Sequence, residues 1–155
     1  MHQFEATLLW QRGEQDFAGQ RYSRAHEWQF DGGLRVPASS SPLSVPLPMS
    51  DPAAVDPEEA LVAAASSCHM LFFLSLAAQR GFVVDRYADR AVGELGKNAD
   101  GRLAMTRITL RPTITFSGPL RPSAQALAAL HHDAHDKCYV ANSLKADVVV
   151  AGEGQ

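Results

Sequence analysis

Asp56-Pro57-Glu58-Glu59-Ala60-Leu61, continuing through Ala63-Ala64-Ala65-Ser66-Ser67-Cys68-His69-Met70 to Arg80-Gly81, decides how the rest of the chain is read. Asp56 is a good N-cap, Pro57 suits the first helical position, and Glu59 stands where a capping-box acid belongs. A basic residue followed by glycine marks the far end. Ala60 to Gln79 contains no Asp, Glu, Lys or Arg, which approaches the length of a membrane span. Ser66, Ser67, His69 and Ser75 interrupt it, however, and no basic cluster flanks it to set a topology. The stretch predicts a long central helix buried inside a soluble protein rather than a membrane anchor.

Strands are expected on either side of it. Phe4 to Trp10 alternates loosely, Gly13 to Gln20 is a polar turn region, and Tyr22 to Phe30 reads as a second strand. Asp31-Gly32-Gly33 then turns the chain into a short third strand through Val36, which makes an N-terminal meander. Pro37 to Pro57 holds six of the nine prolines and is expected to be a loop that packs through Leu43, Val45, Leu47 and Met49. After the helix, Val83 to Leu95 and Leu103 to Phe116 predict two long strands joined by a turn at Asn98-Ala99-Asp100-Gly101. Pro112 places the second of these at an edge or a bulge. Pro122 to Lys137 predicts a second helix, Tyr139 to Lys145 a short helical piece, and Asp147 to Ala151 a closing strand. The fold class is α+β: N-terminal antiparallel strands, central helix, β-hairpin, second helix, final strand.

At 155 residues the chain is expected to be a single domain, 1–155, able to bury a sizeable core. A net charge of −3 and no Lys/Arg cluster argue against nucleic acid as a partner. Met1-His2-Gln3-Phe4-Glu5 lacks the charged lead and apolar core of a secretory signal, so a cytoplasmic location is expected. Structural disulfides are disfavoured there, while transient ones are not.

Cys68 and Cys138 are the only two cysteines. A free cysteine is most often a small buried residue, yet two thiols alone in a chain are also a candidate redox couple. On the central helix Leu61, Ala64, Ala65, Cys68, Phe72 and Ser75 share one face, so Cys68 is expected among apolar neighbours. Burial alone raises a thiol pKa, and activation then requires a cation from elsewhere. Arg12, Arg21, Arg24 and Arg35 of the N-terminal segment can supply it. His131, His135 and Cys138 form a competing group at helical spacing, with no evident fourth metal ligand. His69 is expected on a different face from Cys68, satisfying a backbone or loop contact.

The Asp56-Pro57-Glu58-Glu59-Ala60-Leu61 and Ala63-Ala64-Ala65-Ser66-Ser67-Cys68 segments, with Cys138-Tyr139-Val140-Ala141-Asn142-Ser143 near the other end, resemble the OsmC/Ohr family of thiol-dependent peroxidases. The resemblance extends over nearly the whole chain in its order of elements. It implies an enzyme that reduces organic hydroperoxides through a Cys68 sulfenic acid and a Cys68–Cys138 disulfide, regenerated by an external dithiol without a cofactor. It also implies that Glu58 orients an arginine, best matched by Arg24, which activates Cys68; Arg21 and Arg35 remain alternatives. Ten helical residues separate Glu58 from Cys68, about 15 Å of rise. The two groups therefore cannot meet within one straight helix, and an intertwined homodimer with shared active sites follows. Met49, Phe72 and Tyr139 are candidates for an apolar substrate wall.

Two positions depart from the family's pattern. His69 follows the first cysteine where peroxidase members commonly carry Phe, and Tyr139 follows the second where they often carry Pro. Two other readings stay open: a non-enzymatic redox sensor or small-molecule binder of the same fold, and a metal-binding protein using His131, His135 and Cys138.

Overall fold

The computed structural model describes residues 1–152, which divide between two compact units, Met1–Ala60 and the remainder from Leu61. The first unit is the expected meander. Strands β1 (Ala6–Leu9), β2 (His26–Phe30) and β3 (Arg35–Ala38) form one antiparallel sheet in that order. Trp28 lies opposite both Leu8 and Val36 in the register. The proline-rich segment after β3 forms no strand of its own, but returns to β3 through a bridge between Ala38 and Val55.

Helix α1 (Pro57–Gln79) begins as its sequence requires. The Glu59 amide donates to Asp56 Oδ1 at 2.8 Å, and the Asp56 amide donates to Glu59 Oε2 at 3.3 Å. This reciprocal pair satisfies two otherwise orphaned donors. The helix runs unbroken to Gln79, and Gly81, at φ 78°, turns the chain away. Its core stripe is Ala65, His69, Phe73, Leu76 and Ala77. Ala64 and Ser75, expected on the stripe with Cys68, are exposed instead. The burial is centred one residue further round the helix, because His69 rather than Cys68 faces the core.

The second unit corrects the expected pair of long strands. Each is broken into two pieces that belong to different sheets. Strands β4 (Val83–Asp89) and β7 (Pro112–Ser117) pair antiparallel in one sheet, while β5 (Val92–Lys97) and β6 (Leu103–Leu110) pair in another. The corner falls at Asp89 and Arg111. Pro112 has no N–H for a continuous ladder, and Asp89 Oδ1 accepts the Arg111 amide at 2.6 Å in its place. Asp89 Oδ2 accepts Ser66 Oγ of α1 at 2.5 Å, so one carboxylate ties the corner to the helix. The Asn98–Gly101 turn is as expected: Asn98 Oδ1 accepts the Asp100 and Arg102 amides, and Gly101 adopts φ 75°. Helix α2 (Ala124–Lys137), capped by Ser123, and the short α3 (Tyr139–Ser143) lead into β8 (Asp147–Val150). β8 joins β6 in parallel, with Ile108 opposite Val148.

Two apolar clusters form the core of this unit. Phe73, Leu76 and Ala77 of α1 meet Leu130 and Ala134 of α2 in one, and Ala65 meets Ile108, Leu110 and Val148 in the other. Burying a side chain the size of Phe73 contributes about 1.5–3 kcal/mol. Gly93 lets α1 approach β5: a Cβ built there lies 2.5 Å from Val62 Cγ2 and 2.8 Å from Met105 Sδ. The Gly93→Ala variant is therefore expected to lose about 1–3 kcal/mol through overpacking. A lower urea midpoint at constant m-value is the measurement that checks it.

Candidate functional site

Seventy residues apart in sequence, the two cysteines meet in the second unit. Both are free thiols, Cys68 half-buried on α1 and Cys138 fully buried. They lie close enough for the Cys68 sulfur to act on the Cys138 thiol. Cys138 closes α2 and opens α3, and its sulfur accepts the Ala141 amide at 3.4 Å. Burial pushes the Cys138 thiol up, the Ala141 amide pulls it down, and the neighbouring Cys68 sulfur pushes it up again. The net direction is upward, so Cys138 is held as a thiol. Phe72, half-buried on α1, meets the exposed Tyr139 ring edge-on at 5.1 Å.

The histidines take a different arrangement from the one expected. His69 does not satisfy a backbone or loop group. It is fully buried, and its Nε2 lies 3.0 Å from Nδ1 of His131 on α2, with the two ring planes 11° apart. His131 also packs on Phe73 at 4.6 Å. With Nδ1 of His131 engaged by His69, only its Nε2 is left for a metal. Among the described residues no three His, Cys, Asp or Glu side chains converge where a metal ion could sit. Helix burial drives this pairing: an imidazole at position 69 lies on the core stripe and must find a polar partner there. Its signal in the sequence was the spacing of His69 after Ala65 and before Phe73, four residues each way.

In the first unit Arg24 is the half-buried member of the four N-terminal arginines. Arg21 pairs with Asp16, Arg35 pairs with Glu27, and Arg12 donates to the Gln15 carbonyl. Arg24 donates from Nη1 to the carbonyls of Tyr22, at 2.5 Å, and Gln20, at 3.4 Å. Its guanidinium lies 3.7 Å from the Tyr22 ring centroid. Gln20 has a left-handed backbone, φ 59°, in the turn that presents its carbonyl. The Arg24 amide is fixed by the Met49 carbonyl at 2.8 Å. Glu58 stands half-buried in the first turn of α1. Among the described residues neither Glu58 nor Arg24 has an ion-pair partner. Glu58 and Cys68 stay on one unbroken helix, at the separation of about 15 Å that its rise dictates.

A pair of facing thiols on an α+β scaffold defines a candidate dithiol protein. The OsmC-like protein family model matches residues 50–152, and the chain belongs to that family. It is similar to an OsmC-like protein of unknown function from Vibrio cholerae, with 50% identity, 97% of this chain and 98% of that one covered, and a TM-score of 0.95. Two more distant structures share the fold. An organic hydroperoxide resistance protein from Elizabethkingia anophelis is 16% identical, with 97% and 96% of the two chains covered and a TM-score of 0.68. The organic hydroperoxide resistance protein OhrB of Bacillus subtilis is also 16% identical, with 96% of each chain covered and a TM-score of 0.65. Among curated proteins none matches.

Proposed function

We propose that this protein is a thiol-dependent peroxidase that reduces organic hydroperoxides in the cytoplasm, acting as one domain in a homodimer. The observation that carries the reading is the Cys68–Cys138 contact, in which a half-buried thiol faces a fully buried one. That asymmetry suits a division of labour. The Cys68 thiolate attacks the distal peroxide oxygen; the O–O bond breaks, the alcohol departs after protonation, and Cys68 becomes a sulfenic acid. The Cys138 sulfur then attacks the Cys68 sulfur, a disulfide forms and water leaves. An external dithiol returns both sulfurs to thiols. No cofactor enters this cycle. Phe72 and Tyr139 supply apolar surface beside the thiols, in keeping with an organic rather than an inorganic peroxide, and Met49 fixes the backbone of Arg24.

Arg24 is assigned the activating charge, which faces the attacking sulfur and stabilises the leaving alkoxide. Glu58 is assigned to orient Arg24, since a carboxylate beside the thiolate itself would oppose ionisation. Among the described residues Glu58 has no ion-pair partner and Arg24 no carboxylate, which supports their pairing across two copies of the chain. Steady-state turnover of cumene hydroperoxide with a dithiol reductant tests the activity. Mixing inactive Cys68→Ser with inactive Glu58→Gln protein, after exchange of subunits, tests the shared site. A recovery of about one quarter of wild-type activity is expected, because half the dimers are mixed and each holds one intact site. No recovery despite demonstrated exchange would overturn the shared site.

A further inference from the structure

The first unit holds a cavity of about 560 Å³, and Arg24 is part of its lining. Its size lies within the roughly 300–1,000 Å³ of pockets that take organic ligands. Three aromatic side chains line it and touch one another. Phe17 stacks on Tyr22 at 4.8 Å, and Trp10 meets Tyr22 at 5.4 Å and Phe17 at 5.8 Å. Phe17 is 52% exposed and Trp10 37%, so the apolar wall is open to an incoming ring.

The same cavity contains one fixed charge. Trp28 Nε1 can only donate, so His26 Nε2 accepts it at 3.0 Å, and His26 Nδ1–H donates to the Arg24 carbonyl at 2.7 Å. His26 thereby anchors the Arg24 backbone. The Arg24 guanidinium spends Nη1 on two carbonyls. Nε and Nη2, which make up the edge of the fork suited to a carboxylate, have no acceptor among the described residues. Ser40 Oγ, on the same wall, is buried without a hydrogen-bond partner among the described residues.

A planar apolar wall beside an unfilled bidentate cation specifies the ligand. We propose that this cavity binds aromatic carboxylates, with the ring against Trp10, Phe17 and Tyr22 and the carboxylate on Nε and Nη2 of Arg24. Binding needs none of the thiol chemistry. Such a ligand competes with Glu58 of a second copy for the same guanidinium edge, so where the shared peroxidase site operates it acts as a brake.

The test is titration of full-length Cys68→Ser protein with 2-naphthoate, followed by tryptophan fluorescence. Absence of turnover in this variant separates binding from the peroxidase reading. Saturable quenching is expected, with most of it lost in Trp10→Phe. Affinity is expected to fall at least ten-fold in Arg24→Gln, at least five-fold in Phe17→Ala, and at least ten-fold for neutral 2-naphthalenemethanol on unchanged protein. The alcohol keeps the assay decisive if a variant fails to fold. No saturable quenching overturns the proposal, as does equal affinity for the acid and the alcohol. Quenching that merely follows a shift in dimer dissociation also overturns it, since the cavity is then filled by a second copy.

Discussion

Cys68→Ser is expected to lower dithiol-dependent turnover of cumene hydroperoxide by at least the order of 10³-fold, to the uncatalysed background. A serine hydroxyl at this position is not ionised near neutrality and has no sulfenic acid to form. Cys138→Ser is expected to behave differently. Its first turnover proceeds, and one equivalent of alcohol appears per Cys68. The sulfenic acid then persists, because the buried sulfur that faces Cys68 is gone. Steady-state rate falls by roughly ten-fold or more, with the residue set by how fast an external thiol reaches the half-buried Cys68 directly. Mass spectrometry after dimedone trapping should therefore find an adduct on Cys68 in Cys138→Ser and little in wild type. A Cys138→Ser enzyme that turns over at the wild-type rate would remove Cys138 from the cycle. Stoichiometric disulfide formation without turnover in wild type would favour the redox-sensor reading instead.

How much of this could be read from the chain depends on which forces are local. The α1 cap was legible because Asp56, Pro57 and Glu59 act within one turn, and their hydrogen bonds need no tertiary partner. The Asn98–Gly101 turn was legible for the same reason. The corner at Asp89 and Arg111 was not, since it depends on a carboxylate reaching across the hairpin to an amide and on to Ser66. Pro112 signalled an interruption, but not the change of sheet. The spacing of Glu58 and Cys68 correctly fixed their separation once the helix proved unbroken. The meeting of Cys68 with Cys138 was implied by family resemblance alone, because no periodicity links residues on α1 with the junction of α2 and α3. Arg24 stood beside Arg21 and Arg35 as an equal candidate by composition. Family resemblance made Arg24 the best match, and in the structure carboxylates hold the other two. The aromatic cavity had no sequence signal: Trp10, Phe17 and Tyr22 come from a strand end and a polar turn, and only folding gathers them.

The protein's stability is expected to fall steeply under mild acid, owing to the histidine pair that replaces an apolar contact in the core. His69 is pushed down to about 4, chiefly by burial, then by His131 and His135, against a smaller upward pull from Asp89. His131 is pushed down by burial, and Asp89 again pulls the other way. Tyr87 of β4, which packs on Phe73, stays neutral because burial and Asp89 raise it. Both histidines therefore bind protons less readily folded than unfolded. Their contribution is complete above the unfolded value of about 6.5 and is lost as pH falls towards 4. For His69 alone the loss between pH 7.5 and 4.5 is roughly 2–3 kcal/mol, a large share of the stability of a protein this size. Urea unfolding across that range measures it, and NMR titration of the imidazoles assigns it. His69→Phe should flatten the dependence while leaving the part due to His131. An unfolding free energy that is flat from pH 7.5 to 4.5, or a His69→Phe profile as steep as wild type, would show that the buried pair is not what acid attacks.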